Sequence, residues 1–147
     1  MTYFTGTSDI TIDAKGRFLF PAKYRDALHA DSGGDMVVSH ELQGCLAIYT
    51  KSFWLKKADA WAALPDDAQP FVAHFMATSE HIALDAGGRL ALTPELRSAI
   101  ALPAGQACLR GVGDYFELWT RSDADANLAT LKTLPKPESL RTLRIPK

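Results

Sequence analysis

Two stretches of this chain, 72 residues apart, carry the same pattern. Asp13-Ala14-Lys15-Gly16-Arg17-Phe18-Leu19-Phe20-Pro21, continuing to Arg25, aligns without a gap on Asp85-Ala86-Gly87-Gly88-Arg89-Leu90-Ala91-Leu92-Thr93, continuing to Arg97. Internal self-similarity decides architecture before any local signal does. The echo continues at slightly shorter offsets. Met36-Val37-Val38 matches Ala107-Cys108-Leu109, and Leu46-Ala47-Ile48-Tyr49-Thr50 matches Phe116-Glu117-Leu118-Trp119-Thr120. Two units of about 45 residues follow, at 7–54 and 79–122, with a connector at 55–78 and a C-terminal tail at 123–147. A unit that short has difficulty burying a sufficient core alone, so the two copies are expected to share one.

The local grammar is the same in both copies. Ser8–Ile12 alternates as a half-buried strand does. Asp13 and Gly16 sit at the first and fourth positions of a type I turn, where a carboxylate caps amides and glycine tolerates the exit. A short apolar strand follows, and then a helix that Pro21 can open because its missing N–H costs nothing there. The second copy reads as strand 81–84, turn 85–88, strand 89–92, helix 94–100 and strands 106–110 and 115–119, with Thr93 as N-cap and Pro94 at the first helical position. Met36–Val38 and Cys45–Tyr49 read as a hairpin pair around residues 41–44. The connector reads as two helices, Ser52–Leu64 and Asp66–Ser79, broken at Pro65 and again near Pro70. Its apolar stripes need a cover, either the strands or a neighbouring subunit. Residues 134–147 are proline-punctuated and basic, and read as a mobile tail.

Composition narrows the function. The chain has 147 residues, 47% of them hydrophobic, with 22% charged and a formal net charge of −1. A core is within reach, but the global excess of Lys and Arg that marks most nucleic-acid binders is missing. Binding to DNA therefore requires local clustering or many copies of one patch. Cys45 and Cys108 are too few for a disulfide framework or a cysteine-rich metal site, and read as small buried hydrophobes. The N-terminus lacks a signal peptide's basic and apolar regions, and no apolar run nears the ~20 residues of a membrane helix. A cytoplasmic, nucleoid-associated protein is expected.

Asp13, Gly16, Asp85 and Gly88 have a complete explanation as turn-shaping residues, with each Arg able to pair back to its Asp. The cations admit two readings. Lys15, Arg17, Lys23 and Arg25 could project from one edge, where Arg can pair bidentately with guanine and Lys can set register on phosphates; equally, they could form a solvated surface. In the second copy Gly87 and Glu95 replace Lys15 and Lys23, leaving Arg89 and Arg97. The first copy is thus expected to dominate any DNA contact. The chain carries no Gly-x-Ser-x-Gly, no P-loop and no paired Cys-x-x-Cys. His74 and His81 lack a recognised ligand spacing, so neither an enzyme nor a metal or other cofactor is expected.

Phe4-x-Gly6, Asp13-x-Lys15-Gly16-Arg17-x-x-x-Pro21-x-x-x-Arg25, Gly44-Cys45-Leu46 with Tyr49, and Phe116-Glu117-Leu118-Trp119 after Gly111-x-Gly113 resemble the bacterial MraZ family, with its tandem SpoVT-AbrB-type domains. The resemblance covers residues 4–122 and rests on the doubled Asp-x-x-x-Arg signature. It implies an α+β, mainly β fold: a pseudo-symmetric double-psi or swapped-hairpin AbrB-like barrel with flanking helices. It also implies a ring-shaped homo-oligomer, and a transcriptional regulator that binds double-stranded DNA at G-rich direct repeats upstream of division and cell-wall genes. The alternative is an oligomeric protein-interaction module that uses its barrel and arginines for assembly.

Overall fold

Chain order runs β1 (Thr7–Ile12), β2 (Arg17–Leu19), α1 (Ala22–Ala30), β3 (Asp35–His40), β4 (Leu46–Thr50), α2 (Lys51–Ala62), α3 (Gln69–Thr78), β5 (Glu80–Ala83), β6 (Arg89–Ala91), α4 (Pro94–Ala99), β7 (Gly105–Gly111), β8 (Phe116–Thr120), α5 (Arg121–Thr133) and α6 (Glu138–Arg141). This computed structural model describes residues 3–146. The fold is α+β and mainly β. One antiparallel sheet has the order β1-β7-β8-β4-β3-β5, and a separate two-stranded ribbon pairs β2 with β6.

The strand order shows how the copies are joined. β1 belongs to the first repeat yet pairs with β7 of the second, and β5 of the second pairs with β3 of the first. β4 meets β8 at the centre, with Ala47 opposite Glu117, while Phe18 faces Leu90 in the ribbon. These two central pairs lie on one pseudo-twofold axis, because each joins positions equivalent in the two repeats. The swapped-hairpin expectation is met. Among the described residues, however, no ladder joins β1 to β5 to close the sheet into a barrel; the ribbon strands β2 and β6 lie against these two edge strands.

Alternation along the strands puts one sheet face inward. Ile10, Ile12, Met36, Val38, Leu46, Ile48, Ala107, Leu109, Phe116 and Leu118 meet Phe18, Phe20, Leu90 and Leu92 from the ribbon side. Tyr24 and Leu28 of α1 and Leu96 of α4 close the ends of this core. At its centre the Phe116 ring contacts Phe4 at 4.5 Å, Tyr24 at 4.9 Å and Phe20 at 5.2 Å between centroids. Phe20 and Tyr24 come from one repeat and Phe116 from the other, so neither copy has a core of its own.

The opposite face carries the longer helices. Thr50 caps α2 by accepting from the Phe53 N–H, and Thr120 caps α5 by accepting from the Asp123 N–H. Much of the stretch 123–147, expected as a tail, thus lies in a helix of 13 residues, Arg121–Thr133, that corresponds to α2. Pro70 does not break the connector as expected. It stands in the first turn of α3, where it costs no hydrogen bond. The short turn before it, Asp66–Ala68, is a 3₁₀ helix. Trp61 of α2 is buried against Phe75 of α3, 5.3 Å between rings, whereas the equivalent Leu131 of α5 lies exposed.

Candidate nucleic-acid interface

The two Asp-x-x-Gly-Arg segments form matching turns at the two ends of the ribbon. In the first, Asp13 Oδ1 accepts the backbone N–H groups of Lys15 and Arg17, each at 2.9 Å, and the Gly16 N–H donates to the Asp13 carbonyl at 3.0 Å. In the second, Asp85 Oδ1 accepts the Arg89 N–H at 2.8 Å, and the Gly88 N–H donates to the Asp85 carbonyl at 3.0 Å. Both carboxyls sit below the ordinary carboxylate range, chiefly because the Arg17 and Arg89 backbone amides hydrogen-bond the charged form. Gly16 and Gly88 have φ of +83° and +91°, the left-handed region that glycine enters freely.

Each turn is fastened to the other repeat. The Phe20 N–H donates to the Gly88 carbonyl and the Leu92 N–H to the Gly16 carbonyl, both at 2.9 Å. The helix arginines follow the same exchange. Arg25 Nε donates to the Phe20 carbonyl at 2.8 Å while its side chain lies over Gly88, where an added Cβ would come within 2.8 Å of its Cδ. Arg97 Nε donates to the Leu92 carbonyl at 3.3 Å and lies over Gly16, where an added Cβ would stand 2.6 Å from it.

This regroups the cations foreseen from sequence. Lys15 and Arg17 stand with Arg97, and Arg89 stands with Arg25, so the clusters mix the two repeats. The expectation of Lys15, Arg17, Lys23 and Arg25 along one edge is corrected. Lys23 turns away to lie over the Tyr24 ring, 5.0 Å from its centroid, and against Gly6. The physical reason is the strand exchange, which sets each α-helix beside the partner repeat's turn.

The ribbon's outer face carries four side chains: Arg17, Leu19, Arg89 and Ala91, with Phe18 and Leu90 turned inward. Arg17 is opposite Ala91, and Leu19 is opposite Arg89. The two arginines therefore occupy diagonal corners. Arg17 Nε donates to Asp13 Oδ2 at 2.9 Å, and its side chain is 44% exposed. That contact aims the guanidinium without burying it. Arg89 makes no ion pair among the described residues.

Other groups singled out in the sequence lie apart from this face. His74 packs edge-on against His40 at 5.3 Å, and His81 against Trp54 at 5.1 Å, so the two do not converge. Burial first, and the neighbouring His74 second, hold His40 below the usual histidine range. Among the described residues no group of His, Cys, Asp and Glu has the geometry of a metal site. Cys45 and Cys108 are unpaired and buried with Trp119, and burial pushes the Cys45 thiol up to about 12. Among the described residues no helix is long and apolar enough to cross a membrane.

Taken together, fold and face define a tandem-repeat protein of exchanged β-hairpins that displays paired Asp-x-x-x-Arg turns on an exposed ribbon. The family described as "MraZ protein, putative antitoxin-like" matches residues 3–70 and again 75–142, and the chain belongs to that family. The chain is 35% identical over 135 residues to the transcriptional regulator MraZ of Acidovorax sp. (strain JS42), covering 92% of this chain and 94% of that protein. It is 33% identical over 138 residues to the protein of the same name from Ralstonia pickettii (strain 12J), covering 94% and 96%. The Burkholderia cenocepacia protein of that name is 35% identical over the same length and coverage.

Proposed function

We propose that this chain is a non-enzymatic transcriptional regulator that binds double-stranded DNA through the outer face of the β2–β6 ribbon. The observation that carries this reading is the pair of outward arginines, Arg17 and Arg89, at diagonal corners of a two-stranded ribbon. A ribbon of that width fits the major groove, and Arg is the side chain best suited to the guanine edge there. Lys15, Arg25 and Arg97 flank the arginines and supply phosphate contacts that fix register. The first turn carries Lys15 where the second has Gly87, so the Arg17 end binds more strongly.

A net charge of −1 gives one copy little affinity, and a ring of copies on direct repeats resolves this by raising the effective concentration of each ribbon. The surface supports association. It measures 8876 Å², roughly 1,500 Å² more than the ~7,400 Å² of a compact monomer of this mass. Its exposed apolar side chains include Leu55, Leu64 and Phe71 around α2 and α3, and Leu128 and Leu131 on α5. These patches lie on different helices, and unlike patches that bind each other generate head-to-tail rings.

Replacing Arg17 by Ala, then measuring retardation of the chain's own upstream DNA, tests the reading. Affinity should fall roughly tenfold or more, as expected when a bidentate base contact worth ~1–3 kcal/mol is lost. Unchanged affinity and specificity would refute it. The exposed helix faces also suit an assembly module without DNA; under that reading Arg17→Ala shifts the oligomer's mass and neither protein retards DNA.

A further inference from the structure

Of the four outward side chains on the ribbon, three have an evident place: two arginines and a short Ala91. Leu19 does not. It is 40% exposed at a corner of the ribbon, opposite Arg89, and its chain neighbours Phe18 and Phe20 are buried. Its equivalent in the second repeat is Ala91, so on this face a branched apolar side chain breaks the pseudo-twofold symmetry. The strand beneath is rigid, since the Arg17 carbonyl accepts from Asp13 and the Phe20 N–H donates to Gly88.

We infer that Leu19 reads the C5-methyl group of a thymine in the major groove, a role that rests on the DNA-binding reading above. The methyl group is the apolar feature that base pairs present on the major-groove floor, and apolar side chains recognise it by contact. The spacing is suitable. Arg17 and Leu19 point the same way two residues apart, about 6.6 Å along β2, which equals about two base-pair steps of ~3.4 Å. With β2 laid along the groove and Arg17 on a guanine, Leu19 stands over a base two steps further on. Arg89, directly across the ribbon, lies about 5 Å away and faces the same step. The Arg17 end therefore discriminates by hydrogen bonds, and the Arg89 end by one arginine beside an apolar contact. That difference gives a nearly symmetric ribbon a single preferred orientation on DNA.

The probe is the duplex most enriched when the full-length chain selects from a pool of randomised duplex DNA. Each thymine is replaced in turn by deoxyuridine, which removes the methyl group and leaves the hydrogen-bonding edge intact. One replacement should weaken binding roughly fourfold, the worth of one buried methyl group. Leu19→Ala should bind the thymine duplex that much more weakly and not distinguish it from the uracil duplex. Leu19→Met, which keeps an apolar reach, should restore part of the difference, and Leu42→Ala, in the turn between β3 and β4, should keep all of it. A Leu19→Ala protein that still prefers thymine overturns the inference, as does an unmodified chain indifferent to every replacement. If binding depends on Arg17 but no uracil matters, the role of Leu19 alone falls. If the unmodified chain selects no DNA, the underlying DNA reading falls with it.

Discussion

Replacing Gly16 and Gly88 separately by alanine should destabilise the protein unequally, although the two glycines are equivalent in sequence and similar in φ. At both positions an L-residue in the left-handed region costs about 1–2 kcal/mol. At Gly88 the three atoms nearest the new Cβ all belong to the Arg25 side chain, with Cδ at 2.8 Å, and that chain can swing aside. At Gly16 it meets Arg97 Nε at 2.6 Å and also the Leu92 carbonyl oxygen at 2.7 Å, which belongs to backbone held by the Leu92-to-Gly16 hydrogen bond. Moving that backbone sacrifices a link between repeats worth about 1 kcal/mol. Gly88→Ala is thus expected to cost about 1–2 kcal/mol and Gly16→Ala about 2–3 kcal/mol. Urea unfolding at fixed protein concentration measures both. Truncating the arginine separates the causes: Arg25→Ala should relieve the steric part of Gly88→Ala, whereas Arg97→Ala should leave most of the Gly16→Ala loss in place. Equal losses at the two glycines, or relief of Gly16→Ala by Arg97→Ala, would refute the claim that backbone of one repeat closes on the turn of the other.

Trp61→Ala should cost about 3–5 kcal/mol because it empties a site packed against Phe75, while Leu131→Ala should change monomer stability by less than about 0.5 kcal/mol yet reduce the mass of the assembled species on light scattering. Replacing either capping threonine by alanine, Thr50 or Thr120, should cost about 1 kcal/mol in thermal unfolding, with Thr50 felt across the connector and Thr120 only in α5. Stability should decline with acid in two stages. His40 has a folded value below 6.5, so its contribution is present above that pH and is lost as pH falls through the folded value; His40→Gln should flatten the urea midpoint profile in this window. Asp13 and Asp85 behave likewise below 3.8, where Asp13→Asn combined with Asp85→Asn should remove the acid-dependent loss.

The duplicated segment made most of the element order legible, since turn, strand and helix signals recur at one offset and each is local. Asp13 and Asp85 show this best: an Asp and a Gly three residues apart announce the turn, and the carboxylate-to-amide bonds appear as that chemistry requires. The grouping of the arginines was not legible. Arg25 follows Arg17 in sequence, yet hydrogen bonding across the repeats carries it to the Arg89 turn, and no local pattern encodes strand exchange. Helix α5 was legible but masked by the prolines after it. Thr120 repeats the Thr50 cap, and Ala124, Leu128 and Leu131 recur at helical spacing. Leu19 looked like one more apolar position in a short strand, and only the ribbon pairing turned it outward.

The exchange of hairpins also fixes when this protein can fold. Among the described residues β1 pairs with β7 alone, from Ile12 opposite Gly105 to Thr7 opposite Arg110, a gap of 93 to 103 residues. At ~5–20 residues per second, the ribosome needs roughly 5–20 s to deliver that partner. Throughout that interval the nascent first half carries an unmatched strand and half an interior, so birth of the native state is timed by translation of the second half.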